Sequence, residues 1–221
     1  MKFCNNLVAI IDSGLGGVSV LRQLISKFGY GNYLYFADNL YMPYGNRSNS
    51  FIKKRIDKII NLLKTKFKAN TIIIACNTAS SCVNKNEYEN VFIMEFDNTK
   101  TYLATNLTKN NLSNYKVFAS DVLAKQIEMN IYNTNKLEKC VKNCIKEHHL
   151  NNHKEIVLGC THYELVANYF KKLAPNTKFV CNSEFLVEKI KISPTNELNV
   201  VLHMSKYSEK FYRMFKHTIS F

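Results

Sequence analysis

Short apolar runs alternate with longer amphipathic stretches along most of this chain. Residues 7–11, 33–37 and 71–75 are almost wholly apolar and rich in β-branched or aromatic side chains. That is the mark of strands buried on both faces of a parallel sheet. Between them, residues 18–28 and 52–67 carry apolar positions at helical spacing, the second with a lysine-rich outer face. The strand–helix–strand–helix–strand order predicts right-handed βαβ units. A short strand is expected at 91–96. Residues 98–114 then turn polar and asparagine-rich between short helical patterns, and a domain crossing is placed near 98. Further strands are expected at 115–120, 155–158, 178–180 and 199–202, with helices at 163–173, 183–190 and 208–217. The fold class is α/β.

Composition narrows the function. At 221 residues the chain suits one large domain or two small ones. The apolar run at 7–11 is stopped by Asp12, too early for a signal-peptide core, and no run approaches membrane-spanning length. The expectation is a cytoplasmic protein with no membrane partner, its seven cysteines reduced thiols. The net charge of +13 comes from lysines spread along the chain. Such a surface suits a small anionic substrate. No motif interleaves basic and aromatic residues, which argues against nucleic acid as the main partner.

Two stretches carry the chemistry. Thr71-Ile72-Ile73-Ile74-Ala75-Cys76 is echoed by Glu155-Ile156-Val157-Leu158-Gly159-Cys160. Each ends a strand on a cysteine, where open α/β sheets place their ligands. Asn77, Thr78 and Thr161 follow with hydrogen-bonding groups that suit a carboxylate. A helix starting there is expected to lower each thiol pKa toward neutrality. Asp12-Ser13 closes the first strand before Gly14, Gly16 and Gly17. That spacing lacks a nucleotide-phosphate motif and reads as a tight strand-to-helix turn, while Asp12 and Ser13 would face any ligand. Ser120 is a further candidate hydroxyl. Cys140, Cys144 and His148 recur on one helix face, but with no fourth ligand fixed they read as a solvated helix rather than a zinc site.

Four motifs together resemble glutamate racemases, of the aspartate/glutamate racemase superfamily. They are Asp12-Ser13-Gly14-Leu15-Gly16-Gly17, Pro43-Tyr44-Gly45, Ala75-Cys76-Asn77-Thr78-Ala79 and Leu158-Gly159-Cys160-Thr161-His162-Tyr163. The resemblance implies two similar α/β domains, each a mostly parallel sheet flanked by helices, with the active site in the cleft between them. The first would span residues 1–97 and 184–221 and carry Cys76, the second 98–183 and carry Cys160. It implies cofactor-independent interconversion of L- and D-glutamate, supplying D-glutamate for peptidoglycan. Cys76 and Cys160 would be the opposed acid–base pair, assisted by Asp12 and His162. Ser13, Tyr44, Gly45, Asn77, Thr78 and Thr161, with Asp12 and His162, would hold the substrate. No cofactor or metal is expected, and the resemblance allows a homodimer.

The chain also departs from the family. Ala119-Ser120-Asp121-Val122-Leu123 stands where a Gly-Thr-x-x-Thr motif is usual, the following stretch is shorter by roughly two dozen residues and lacks the usual Cys-Pro and acidic segment, and Val180-Cys181-Asn182-Ser183 stands where an Ile-Asp-Ser is usual. An aspartate or other amino-acid racemase, or a degenerate member acting as a binding or inhibitory protein, therefore stand as alternatives.

Overall fold

The computed structural model describes residues 6–220; Cys4, one of the expected thiols, lies outside them. In chain order the elements begin β1 (Leu7–Asp12), α1 (Val18–Phe28), β2 (Asn32–Ala37), α2 (Asn49–Thr65), β3 (Thr71–Ile74), α3 (Asn77–Ser80) and β4 (Val91–Ile93). Then come β5 (Thr101–Ala104), α4 (Asn106–Asn111), β6 (Lys116–Ala119), α5 (Asp121–Met129), α6 (Thr134–Glu147) and β7 (Glu155–Leu158). The chain closes with α7 (Thr161–Glu164), α8 (Ala167–Leu173), β8 (Lys178–Cys181), α9 (Asn182–Lys189), β9 (Asn199–Met204) and α10 (Glu209–Ile219).

The strands form two sheets, ordered β4-β3-β1-β2-β9 and β6-β5-β7-β8, and every strand pair in them is parallel. This is a two-domain α/β fold. In each sheet the order reverses at the first strand. The chain moves from β1 to β2 on one side, then places β3 on the other side of β1; β5, β6 and β7 repeat the pattern. Such a reversal leaves a crevice beyond the carboxyl ends of the two strands that flank it. The crevices fall at β1/β3 and β5/β7, so Asp12, Cys76 and Cys160 all reach one.

Local sequence accounts for most elements. All six residues of β1 and of β2 are buried, as their unbroken apolar runs require. Helix α1 buries Val18, Val20, Leu21 and Leu24, and ends at Gly29, whose φ of 69° suits the residue without a Cβ. Ser48 starts α2 three residues earlier than apolar spacing suggests, because its hydroxyl accepts the Phe51 N–H at 3.2 Å. One face of the first sheet packs against α1, α9 and α10 through Leu21, Leu186, Val187, Met214 and Phe215; the other packs against α2 through Ile52, Ile56 and Ile59.

Two expectations need correction. Strand β5, in the interior of the second sheet, lies inside the stretch taken as polar with helical patterns. Its Tyr102, Leu103 and Ala104 are buried, but four residues among threonines, lysines and asparagines leave no visible period. The helix expected over 163–173 starts at Thr161 and breaks between Glu164 and Ala167. No helix among the described residues is long and apolar enough to cross a membrane.

Candidate active site

The carboxyl ends of both sheets meet at one cavity of about 460 Å³, lined by Cys76 and Cys160 together. Ser13, Tyr44, Gly45, Asn77, Thr78, Thr161 and His162 also line it. Asp12 lies behind this wall, fully buried: Oδ1 accepts the Gly14 N–H at 2.8 Å and Oδ2 accepts the Thr161 hydroxyl at 3.2 Å. A residue of the first sheet thus fastens a residue of the second. Gly16 permits that approach, since a Cβ there would stand 2.3 Å from Thr161 Oγ1 and 2.8 Å from the His162 backbone nitrogen.

Around Cys76 the site is tightly enclosed. The thiol is 6% exposed, with Ser13 Oγ 3.8 Å from its sulfur. The helix it precedes, α3, has four residues, too short to build the dipole expected from the sequence. Desolvation prevails: burial, then the Asp12 charge, push the Cys76 thiol far above its ordinary value. The expected lowering is corrected here. Asn77 is 1% exposed; its Oδ1 accepts from Asn182 Nδ2 at 2.7 Å, while its own Nδ2 has no protein partner. A buried, unpartnered donor beside the cavity is what an incoming carboxylate would satisfy. Thr78 shares hydrogen bonds with Thr105 and Thr108 at 3.1 and 3.3 Å.

Tyr44 and Gly45 are held from behind. The Tyr44 hydroxyl donates to Asp38 Oδ2 at 2.6 Å, and Arg55 grips the same buried carboxylate through Nε at 3.0 Å and Nη2 at 2.6 Å.

The Cys160 side is polar. His162 hydrogen-bonds with Cys160, and its Nε2 lies 2.7 Å from Glu128 Oε2. Burial opposes charge on this imidazole, yet Cys160 and Glu128 outweigh it and raise its pKa well above the ordinary value. The proton between Nε2 and Glu128 is then the histidine's to donate. Asp12 moves up as well, driven by burial and only partly offset by the charge on His162.

Sequence reasoning missed α5, which brings Asp121, Lys125 and Glu128 to the cavity. These three sit at i, i+4 and i+7, a helix-face period that was there to be read. Glu128 supplies an acidic group where the shortened stretch was taken to lack one. Ser120 does not line this cavity; it follows the carboxyl end of the edge strand β6, where its backbone carbonyl accepts from Tyr163. Cys140 points to Gln126 and the His148 ring packs on Phe118, and no group of metal-ligating side chains forms among the described residues.

Two parallel sheets whose reversal points share a cavity, with a thiol from each, define an amino-acid racemase, an isomerase. No family model matches the chain. Over 196 residues, 78% of this chain and 73% of the relative, it is 33% identical to glutamate racemase 1 of Caldanaerobacter subterraneus subsp. tengcongensis. The glutamate racemase of Thermus thermophilus superimposes over 96% of this chain and 92% of its own, with a TM-score of 0.81 at 18% identity. That of Francisella tularensis, solved with D-glutamate, covers 98% of this chain and 94% of its own, with a TM-score of 0.75 at 20% identity. The chain belongs to the glutamate racemase family.

Proposed function

We propose that this protein interconverts L- and D-glutamate by a two-base mechanism that uses no cofactor, with Cys76 and Cys160 on opposite faces of the substrate. The observation that carries the reading is the single cavity with one strand-end thiol from each sheet. Racemisation removes the α-proton from one face and returns a proton to the other, which two opposed thiols can do directly. The Francisella relative, solved with D-glutamate, supports the choice of substrate.

The two walls suggest starting states. Burial keeps Cys76 protonated, so it begins as the acid. Cys160 is then the base in that half-reaction, and takes the α-proton of L-glutamate while the C–H electron pair passes to the α-carbon. Cys76 gives its proton to the opposite face and becomes the thiolate. D-glutamate leaves with the two thiols exchanged in protonation, and the reverse reaction resets them. Asp12 assists at Cys76, and His162, oriented by Glu128, assists at Cys160. Asn77 Nδ2 and the Thr78 and Thr161 hydroxyls serve the substrate carboxylates, aided by Ser13 and the Tyr44–Gly45 turn. Donors fixed before the charge develops need no reorganisation when it does. In this reading residues 1–97 with 184–221 form the first domain and 98–183 the second. The product serves peptidoglycan synthesis in the cytoplasm.

The test is early isotope incorporation. In heavy water L-glutamate should give deuterated D-glutamate while the remaining L-glutamate stays protonated, with the mirror result from D-glutamate. Equal early labelling of both enantiomers would overturn the two-base assignment. Activity lost on dialysis and restored only by pyridoxal phosphate or a metal would overturn cofactor independence.

A further inference from the structure

Helix α5 forms one lip of the cleft. A Cβ on Gly45 would stand 3.6 Å from Asp121 Oδ1, and one on Gly14 would stand 3.2 Å from Glu128 Oε2. The helix thus runs along the edge that Gly14 and the Tyr44–Gly45 turn give to the first wall. Asp121 and Glu128 are roughly 10 Å apart along its axis. Lys125 lies between them on the same helix face and lines the cavity with them.

Among the described residues Lys125 is the one lysine or arginine in this lining. It is also unpaired. Asp121 and Glu128 stand at i−4 and i+3 from it, the spacing at which helical ion pairs form, but both are taken. Asp121 Oδ1 accepts the Asn106 backbone N–H at 3.1 Å and Oδ2 accepts from Asn106 Nδ2 at 2.5 Å. Glu128 Oε2 lies 2.7 Å from His162 Nε2. No ion pair among the described residues includes Lys125. Val122, Ala124 and Met129, the other α5 residues in the lining, are apolar. An exposed ammonium with no bound counter-charge therefore stands at the mouth of the cavity.

Deeper in, the side chains offered to carboxylates are neutral: Ser13, Asn77, Thr78 and Thr161. Hydroxyls and amides both donate and accept, so they can hold a side-chain amide as well as a carboxylate. The carboxylates of Asp121 and Glu128 repel a substrate that carries a second negative charge. Preference for such a substrate needs a cation in the lining, and selection is a difference of affinities between the acid and its neutral analogue. We propose that Lys125 pairs with the side-chain carboxylate of the substrate and sets the preference for an acidic over a neutral amino acid. This rests on the glutamate reading of the site and adds to it the side chain that selects the acid.

The test compares the intact chain with Lys125→Met, which keeps the length and loses the charge, and with Lys125→Arg, which keeps the charge. L-Glutamate and L-glutamine have nearly the same size and differ by one charge, and calorimetry reads the binding of each without requiring turnover. Lys125→Met should weaken glutamate binding about tenfold, the loss of one charge-assisted contact, and leave glutamine binding as it was. Lys125→Arg should keep the intact chain's preference. In racemisation the methionine variant should show the same rise in KM with little change in kcat, and its KM should respond less to added salt than that of the intact chain. A merely structural lysine would leave the glutamate-to-glutamine ratio and the salt response unmoved, and that result would overturn the proposal. So would an equal loss of both ligands. A chain with the expected shift in ratio but no racemisation would sink the racemase reading and leave Lys125 as the selecting group. Normal racemisation with an unmoved ratio would do the reverse.

Discussion

The two walls of the cleft are built from the same parts and tuned in opposite ways. On each, a parallel strand ends at a thiol, followed by hydroxyl-bearing residues and a four-residue helix. The first wall is dry: burial dominates, and Cys76 is held as the neutral thiol. The second is wired: His162 stands between Cys160 and Glu128 and keeps its positive charge despite burial. In the proposed two-base reaction, a symmetric step would be served by an asymmetric site. Burial and the Asp12 charge hold one thiol neutral, while a charged imidazole stands beside the other.

The comparison is broken most completely by removing either thiol. Cys76→Ala and Cys160→Ala should each lower racemisation by roughly 10²–10⁴-fold, the scale of one acid–base group, with the folded circular-dichroism spectrum retained. Comparable turnover in either would show that one wall suffices. Pushing the walls apart comes next. Gly16→Ala places a methyl against Thr161 and the His162 backbone. It should cost about 1–3 kcal/mol of stability by overpacking and at least tenfold in kcat/KM, read by denaturant melts and initial rates.

Glu128→Gln sharpens the contrast, because the side-chain hydrogen bond it removes is on the second wall, at His162. His162 loses the carboxylate that helps hold its charge, and kcat should fall roughly ten- to a hundredfold, as when outer hydrogen-bond partners are removed elsewhere. The equilibrium constant for racemisation is one, so kcat/KM must fall equally in both directions. The wall that failed shows instead in a larger primary isotope effect with α-deuterated L-glutamate than with α-deuterated D-glutamate. The smallest effect is a displacement. Cys76 must be protonated to act as an acid, and its raised pKa keeps it so as pH climbs. The alkaline limb of kcat/KM should therefore lie above the ordinary thiol value of about 8.5; a limb at or below that value would contradict a dry first wall.

Much of the first wall was legible in the sequence because its residues are neighbours along the chain. Asp12 with Ser13, and Cys76 with Asn77 and Thr78, arrive at the cavity together because one strand end delivers each group. The thiol's ionisation was not legible. Proximity to a helix start can be read from sequence, but the balance between a short helix and full burial depends on packing. The second wall was half legible: Cys160, Thr161 and His162 announce themselves, while Glu128 comes from another helix and meets His162 only in three dimensions. Strand β5 escaped for a different reason, since four residues buried by tertiary pairing need no pattern of their own.

The order of strands across the first sheet also bears on how the protein is made. Its last strand, β9, pairs along the whole of β2, from Asn32 with Asn199 to Ala37 with Met204, and α10 brings Phe211, Met214 and Phe215 to the core under α1. Both arrive after the second sheet, whose strands run from Thr101 to Cys181 without interruption. On the ribosome the second sheet can close as soon as it emerges. The first, begun earlier, must wait with β2 as an open edge. A nascent chain that has emerged from the ribosome as far as residue 190 would hold a finished second sheet beside an unfinished first one, and should be the form most readily captured by chaperones.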